Sequence, residues 1–278
     1  MSNGVGVTNE KRADKTIQID GVQLSLSEPD THDSEWIDYN DYVRQLEAAW
    51  LRLSEDELPL NPRIVGEPGL GKTTLACAVG RRTKRDVYIF QCTMDTRPED
   101  LVVTPVLTGD RRIEYRASAV VTAMIRGGVV LLDEANRMPE RSWASLAPLM
   151  DERRYIESEV TALKLRAHRD FRLCVTMNAD ASVYELPGYI QSRLKPKIEI
   201  VSPPWAMQER IVRAKCPRVD DDLLKAVLTE IKKRMEKGLR DSTRDMLTFA
   251  QYAQKLRQSG NTDALRISRE QVFEKADA

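Results

Sequence analysis

The chain is poor in the residues that usually announce metal or acid–base chemistry. Its 278 residues hold two histidines, His32 and His168, each standing alone. They read as surface or loop residues, not as ligands or general bases. Four cysteines, Cys77, Cys92, Cys174 and Cys216, are widely spaced with no C-x-x-C pair, and three lie in apolar runs or helical stretches. That spacing argues against a thiolate metal centre and for buried free thiols in a reducing, cytoplasmic compartment. Net charge is also missing: 43 basic residues balance 43 acidic ones. Broad affinity for nucleic acid needs a basic surface, so the balance gives that class no support beyond a local patch. No apolar run approaches the ~20 residues that span a bilayer. Met1 to Lys15 is polar and lacks the apolar centre of a secretory leader. Neither an internal repeat nor a long low-complexity stretch is present.

What the chain does have is a phosphate loop. Residues 66–73 read Gly66-Glu67-Pro68-Gly69-Leu70-Gly71-Lys72-Thr73, a complete G-x-x-x-x-G-K-[ST]. Glycines let the backbone turn its N–H groups inward around a polyphosphate. Lys72 adds a point charge for the β- and γ-phosphates, and Thr73 a hydroxyl for Mg²⁺. Thr74 opens a helical stretch to Thr83 whose positive end faces the same anion. Arg63-Ile64-Val65 supplies the preceding strand. The chain is therefore expected to bind a nucleoside triphosphate and Mg²⁺ through Gly66 to Thr74.

Four further β-like runs follow: Val87–Gln91, Val129–Leu132, Phe171–Thr176 and Ile198–Val201. Helical stretches separate them, and Val129-Val130-Leu131-Leu132 suits a strand buried on both faces, so a central five-stranded parallel sheet is expected. Two segments, 104–116 and 155–166, read as β-hairpin inserts. Alternation from Ile17 to Leu26 allows a short strand or hairpin within an otherwise flexible or partly ordered segment 1–34. Glu35–Leu53 has helical apolar spacing, as does Pro139–Glu152, where Trp143, Leu146 and Met150 read as core. After Pro203-Pro204 the pattern is helical throughout. Breaks at Gly238 and Gly260, a cap at Asp241 or Ser242 and a last short helix capped by Ser268 complete the reading. The expected domains are an α/β nucleotide-binding unit over 35–202 and an all-α lid over 203–278.

The carboxylates Asp133 and Glu134 end the Val129–Leu132 strand, where such folds bind ligands. Asp133 is suited to hold Mg²⁺ through water, and Glu134 to polarise an attacking water. Asn178, after the strand Phe171–Thr176, is placed to orient that water. Arg193 in Gly188–Leu194 is either a solvated helix-end residue or a guanidinium reaching the γ-phosphate across a subunit boundary. Arg153 and Arg154 read either as a solvated charge run or as alternative trans-acting arginines.

Together these residues resemble the MoxR-like/dynein-related AAA+ ATPases, over roughly Asp38 to Leu256. Gly66–Thr73 looks like the Walker A motif. Leu131-Leu132-Asp133-Glu134-Ala135-Asn136-Arg137-Met138-Pro139 looks like the extended Walker B, and Val175-Thr176-Met177-Asn178 like the sensor-1 strand. Gln191-Ser192-Arg193-Leu194 is similar to the arginine-finger segment, with Leu194 in place of Phe. Ser242-Thr243-Arg244-Asp245 is similar to the sensor-2 helix start, which would make Arg244 that sensor. The resemblance implies a P-loop AAA+ core with a lid and a homo-oligomeric ring, usually a hexamer, with ATP bound between neighbours. It also implies chaperone-like remodelling of a protein partner, often one with a von Willebrand A domain. A second reading is a nucleic-acid-targeting motor. Met177-Asn178-Ala179-Asp180 faintly resembles a stretch of the McrB-type restriction GTPases, and Arg111, Arg112 and Arg116 on the first hairpin could face a pore. No Asn-Lys-x-Asp guanine-reading motif occurs, so ATP is the expected nucleotide, with GTP left open by that relationship.

Overall fold

The computed structural model describes residues 15–31, 35–179 and 185–273. The readings made for His32, Asp180 and residues 1–14 lie outside them. In chain order the first elements are β1 (Thr16–Ile19), β2 (Val22–Ser25), α1 (Tyr42–Trp50), β3 (Arg63–Gly66), α2 (Lys72–Arg82) and β4 (Val87–Gln91). There follow β5 (Val103–Leu107), β6 (Ile113–Ala117), α3 (Ala119–Arg126), β7 (Val129–Asp133), α4 (Glu140–Leu146), β8 (Tyr155–Ser158) and β9 (Leu163–Arg166). The last are β10 (Arg172–Asn178), α5 (Gly188–Arg193), β11 (Lys197–Glu199), α6 (Trp205–Lys215), α7 (Asp221–Glu236), α8 (Thr243–Gln258) and α9 (Ala264–Val272).

The expected five-stranded parallel sheet is present, ordered β11-β3-β10-β7-β4. Its continuous apolar runs are buried on both faces: Val129, Val130, Leu131 and Leu132 are all inaccessible. Each such side chain contributes about 1.5–3 kcal/mol by leaving water. The parallel register aligns Asn178 with Gly66, so the tips of β3, β7 and β10 converge where the phosphate loop begins.

Both inserts form antiparallel hairpins, β5–β6 and β8–β9. The N-terminal pair β1–β2 adds to the first of them, giving a four-stranded sheet β1-β2-β6-β5 in which β2 runs parallel to β6. Ser27 pins this addition, its hydroxyl donating to the Ala117 carbonyl at 3.0 Å and its backbone N–H to Thr122 Oγ1 at 3.0 Å.

Three local expectations need correction. The helix read over Glu35–Leu53 exists only from Tyr42 to Trp50. Upstream, Trp36 stacks on Tyr39 with centroids 5.6 Å apart, its indole N–H donates to Asp38, and Asn40 and Asp41 turn left-handed. That packing overrides helical spacing. The helix read over Pro139–Glu152 breaks after Leu146 into a tighter turn at 147–149 containing Pro148, although Trp143, Leu146 and Met150 are core as expected. Ser268 does not cap a helix: it is buried within α9, and its hydroxyl donates to the Phe249 carbonyl at 3.0 Å.

The C-terminal helices close on their own core of Leu224, Val227, Ile231, Phe249, Ala250 and Ala253. A buried bidentate pair, Arg234 to Asp241 at 2.9 and 3.0 Å, ties α7 to the segment before α8. Helix α6 faces both ways. Ile211 packs with the sheet's helical layer, whereas Val212 and Cys216 pack with the other C-terminal helices. All four cysteines are free and buried, and burial raises every thiol above its ordinary range, to about 11 for Cys77 and about 12 for Cys92.

Candidate nucleotide cleft

The loop after β3 is shaped by what glycine permits. Gly69 and Gly71 have φ of +81° and +86°, and a Cβ on Gly66 would stand 2.6 Å from the Ile200 carbonyl oxygen. Lys72, nearly buried, turns its ammonium beneath the loop and donates to the carbonyls of Gly66 and Glu67, both at 2.9 Å.

Beside the loop lie the two carboxylates. Asp133 Oδ1 accepts from the Thr73 hydroxyl at 3.0 Å and from the Thr176 hydroxyl. Thr176 Oγ1 in turn accepts from the Glu134 backbone N–H at 3.0 Å. Glu134 adopts φ +53°, a strained conformation for a side-chain-bearing residue of the kind that collects at functional sites. Its carboxylate accepts from Asn178 Nδ2 at 3.5 Å on one oxygen and from Arg137 Nε at 2.8 Å on the other. Asn136 secures the far side by donating to the Asn178 carbonyl at 3.0 Å. Gly69, Gly71, Lys72, Thr73, Thr74, Asp133, Glu134, Thr176, Asn178 and Arg244 border one cleft of about 310 Å³.

Arg244 reaches it from the first turn of α8. Ser242 caps α8 in a reciprocal box with Asp245. The capped end presses on the loop, since a Cβ on Gly69 would lie 2.6 Å from Ser242 Oγ and 3.3 Å from Arg244 Cβ. Next to this cleft a cavity of about 330 Å³ opens between Trp36, Tyr39, Leu70, Ile211, Leu247 and Gln251. Apolar side chains make the larger part of its wall, Glu35, Lys215 and Arg244 add charge to the rest, and it is of small-ligand size.

Arg193 is elsewhere. Its guanidinium, about a third exposed, donates to Asp151 Oδ2 at 3.3 and 3.4 Å and to the Tyr189 carbonyl at 2.8 Å. Arg153 grips the same carboxylate at 2.8 and 3.0 Å. Arg154 differs: it packs over Phe171, donates to that residue's carbonyl at 3.1 Å, and burial lowers it to about 10. Of the three arginines, Arg193 and Arg153 share one corner, while Arg154 is part of the packing. Sequence reading missed Thr176, Arg137 and Asp151. Thr176 had a signal, because it lies two residues before Asn178 on one strand and so shares its face. Arg137 had one too, three residues after Glu134 in the same local stretch; Asp151 had none.

Residues 63–194 match the family described as AAA domain (dynein-related subfamily), a little under half of the chain. With the parallel sheet, phosphate loop and following helices in hand, the class is settled. The fold is P-loop AAA+. Solved structures agree. The RuvB Holliday junction branch migration motor of Thermotoga maritima superposes with a TM-score of 0.55 at 16% identity, covering 84% of this chain and 69% of that one. A single-residue variant of the same motor gives 0.57 at 15%, covering 85% and 70%. Likeness at that identity concerns the fold alone. Among curated proteins, the denitrification regulatory protein NirQ of Stutzerimonas stutzeri is 29% identical over 158 residues, 54% of each chain. An uncharacterized protein of Staphylococcus epidermidis is 24% identical over 187 residues, 66% of this chain and 65% of its own. The chain thus spans between half and two thirds of the length of these curated relatives. An AAA+ P-loop fold is a nucleotide-binding one, usually with Mg²⁺, and proteins that share it typically assemble as rings. No helix among the described residues is long and apolar enough to cross a membrane.

Proposed function

We propose that this protein is a ring-forming ATPase of MoxR type that couples ATP hydrolysis to remodelling or activating a partner protein in the cytoplasm. The observation that carries the reading is a cleft in which Lys72, Thr73, Asp133, Glu134 and Asn178 converge, while Arg193 stands outside it. In this reading the backbone of Gly66–Thr74 and the Lys72 ammonium hold the phosphates. A hydroxyl 3.0 Å from a single carboxylate fits Mg²⁺, which takes few protein ligands and completes its shell with water and phosphate oxygens. Thr73 and Asp133 would hold the ion, which when bound neutralises charge on the phosphate oxygens. Glu134 accepts the proton of the attacking water, Asn178 fixes that water's direction, and Arg244 follows the phosphates from the lid. The Trp36–Tyr39 cavity takes the base. Arg193 is offered to the cleft of the next subunit in a homo-oligomeric ring, a hexamer by the family default.

The partner is a separate polypeptide, and a von Willebrand A domain protein is the type proposed. The regulatory name of NirQ suits a partner-directed role. The experiment is ATP turnover against protein concentration, with affinity capture by Glu134→Gln. The reading expects turnover only where the chain assembles, and a protein retained with ATP but not without it. Full turnover by a monomer would overturn the ring, and failure to retain any protein in the ATP state would overturn the coupling.

A second reading, a nucleic-acid motor, draws on Arg111, Arg112 and Arg116, all exposed on the β5–β6 hairpin. Asp110, paired to Arg112 at 3.3 Å, and Glu114 offset much of that charge. DNA binding by the assembled protein that weakens steeply with salt would favour this reading over the first.

A further inference from the structure

We propose that Asp151 is a positioning residue that builds a two-arginine site, Arg193 with Arg153, for the nucleotide of the adjacent subunit. The inference rests on the ring reading above. Its starting point is a problem of charge. Two guanidiniums at one corner repel each other unless an anion lies between them, and here one carboxylate serves both. Asp151 Oδ2 accepts from Arg153 Nη2 at 2.8 Å and from Arg193 Nη2 and Nε at 3.3 and 3.4 Å. Oδ1 accepts from Arg153 Nε at 3.0 Å and from the Arg153 backbone N–H at 3.1 Å. Two positive charges against one negative leave the corner with a surplus of one, the sign a phosphate needs.

The corner is also held from below. Buried Asn61 donates through Nδ2 to the Met150 carbonyl at 3.0 Å and to the Arg193 carbonyl at 3.3 Å. One amide thus joins the residue before Asp151 to Arg193 itself. Asn61 stands two residues before β3, the strand that feeds the phosphate loop. Three of the five N–H groups of Arg193 are committed, two to Asp151 and one to Tyr189 O, which fixes the plane of its fork. A long arginine side chain otherwise samples many rotamers. Fixing it before the neighbour arrives is the preorganisation that charge stabilisation in a transition state requires. Sharing between two arginines separates this arrangement from an ordinary surface pair, which contributes little.

The experiment compares full-length Asp151→Asn, Asp151→Glu, Arg193→Ala and Lys72→Ala, alone and in mixed assemblies. Asp151→Asn keeps shape and removes charge. It is expected to lower kcat about 10²-fold, the scale of a misplaced catalytic group, with KM and binding of a fluorescent ATP analogue unchanged. Asp151→Glu, which retains the charge, is expected to recover part of the loss. Mixing with Lys72→Ala, whose own cleft is disabled but whose arginines are intact, is expected to restore turnover at Asp151→Asn clefts that face a Lys72→Ala neighbour. A fold defect would give no such rescue. Turnover at or above wild type in Asp151→Asn would overturn the proposal, because the carboxylate would then restrain the arginines. Loss without rescue, or with loss of nucleotide binding, would overturn it too. Arg193→Ala mixed with Lys72→Ala separates the two layers. Rescue there but not for Asp151→Asn sinks only the role of Asp151, and wild-type turnover of Arg193→Ala alone sinks the seam on which it rests.

Discussion

The cleft at the strand tips and the corner at Asp151 use the same materials, carboxylates, guanidiniums and an asparagine, to opposite ends. In the cleft a protomer gathers its own groups: Thr73, Asp133, Thr176, Glu134 and Asn178 form one continuous chain of hydrogen bonds. At the corner two arginines are fixed around one carboxylate and border no part of that cleft. The first arrangement is chemically complete in a single chain apart from its ligands. The second leaves one positive charge in surplus, and under the proposed ring reading it meets a phosphate from outside. The difference is one of closure: the groups of the cleft satisfy one another, whereas the corner keeps unspent charge, which the proposed ring would use.

The sharpest way to break this contrast is Arg193→Ala. If Arg193 serves a neighbour's cleft as proposed, its removal is expected to reduce turnover about 10³-fold or more while ATP affinity, measured by equilibrium titration, stays near wild type. A loss of affinity with unchanged kcat would put Arg193 in its own cleft's binding machinery. Glu134→Gln follows in size. Loss of the proton acceptor is expected to lower kcat by about 10²–10⁴, again with binding kept, and mixing with wild-type chains should leave the variant's own clefts inactive. Rescue on mixing would erase the distinction between the two regions.

A smaller effect tests how the cleft is held at rest. Arg137 binds the Glu134 carboxylate at 2.8 Å, through side chains that are both partly exposed. Such a pair is worth about 0.2–1 kcal/mol, so it competes only weakly with a water for the same carboxylate. Arg137→Ala is expected to raise basal turnover at saturating ATP, by no more than about five-fold at the upper end of that range. A fall instead would make Arg137 part of the productive geometry.

How far these two regions could be read beforehand follows from where their information lies. The central strands of the parallel sheet announce themselves in apolar runs such as Val129–Leu132, and the carboxylate pair and phosphate loop in unbroken local strings. Those signals are short in sequence and carry their own chemistry. The corner is different. Asp151, Arg193 and Asn61 are spread over more than 130 positions, and no periodicity links them. The docking of β1–β2 onto β6 is equally silent, because it pairs residues some ninety apart. Glu35–Tyr39 misled for a related reason. Apolar spacing suited a helix, yet Tyr39 is drawn away to donate its hydroxyl to the Val201 carbonyl at 3.1 Å. Long-range contacts overrode local preference there, as tertiary context routinely does.

The least disturbing test of the corner is pH. The Arg153 guanidinium, hydrogen-bonded to Asp151 and seconded by Arg193, holds that carboxyl down at about 2. Unfolding returns it to the ordinary range near 4. A depressed folded value means that the unfolded chain takes up the proton first, so the stabilisation is fully present above about 4–5 and is lost as pH falls towards 2. The difference in thermal unfolding midpoint between wild type and Asp151→Asn is therefore expected to stay flat from pH 5 to 8 and to shrink only below about 4. A difference that instead collapsed between pH 5 and 8 would mean that the carboxylate gains protons where a fork of two arginines forbids it. The corner would then be an ordinary solvated acidic turn, and its contrast with the cleft would disappear.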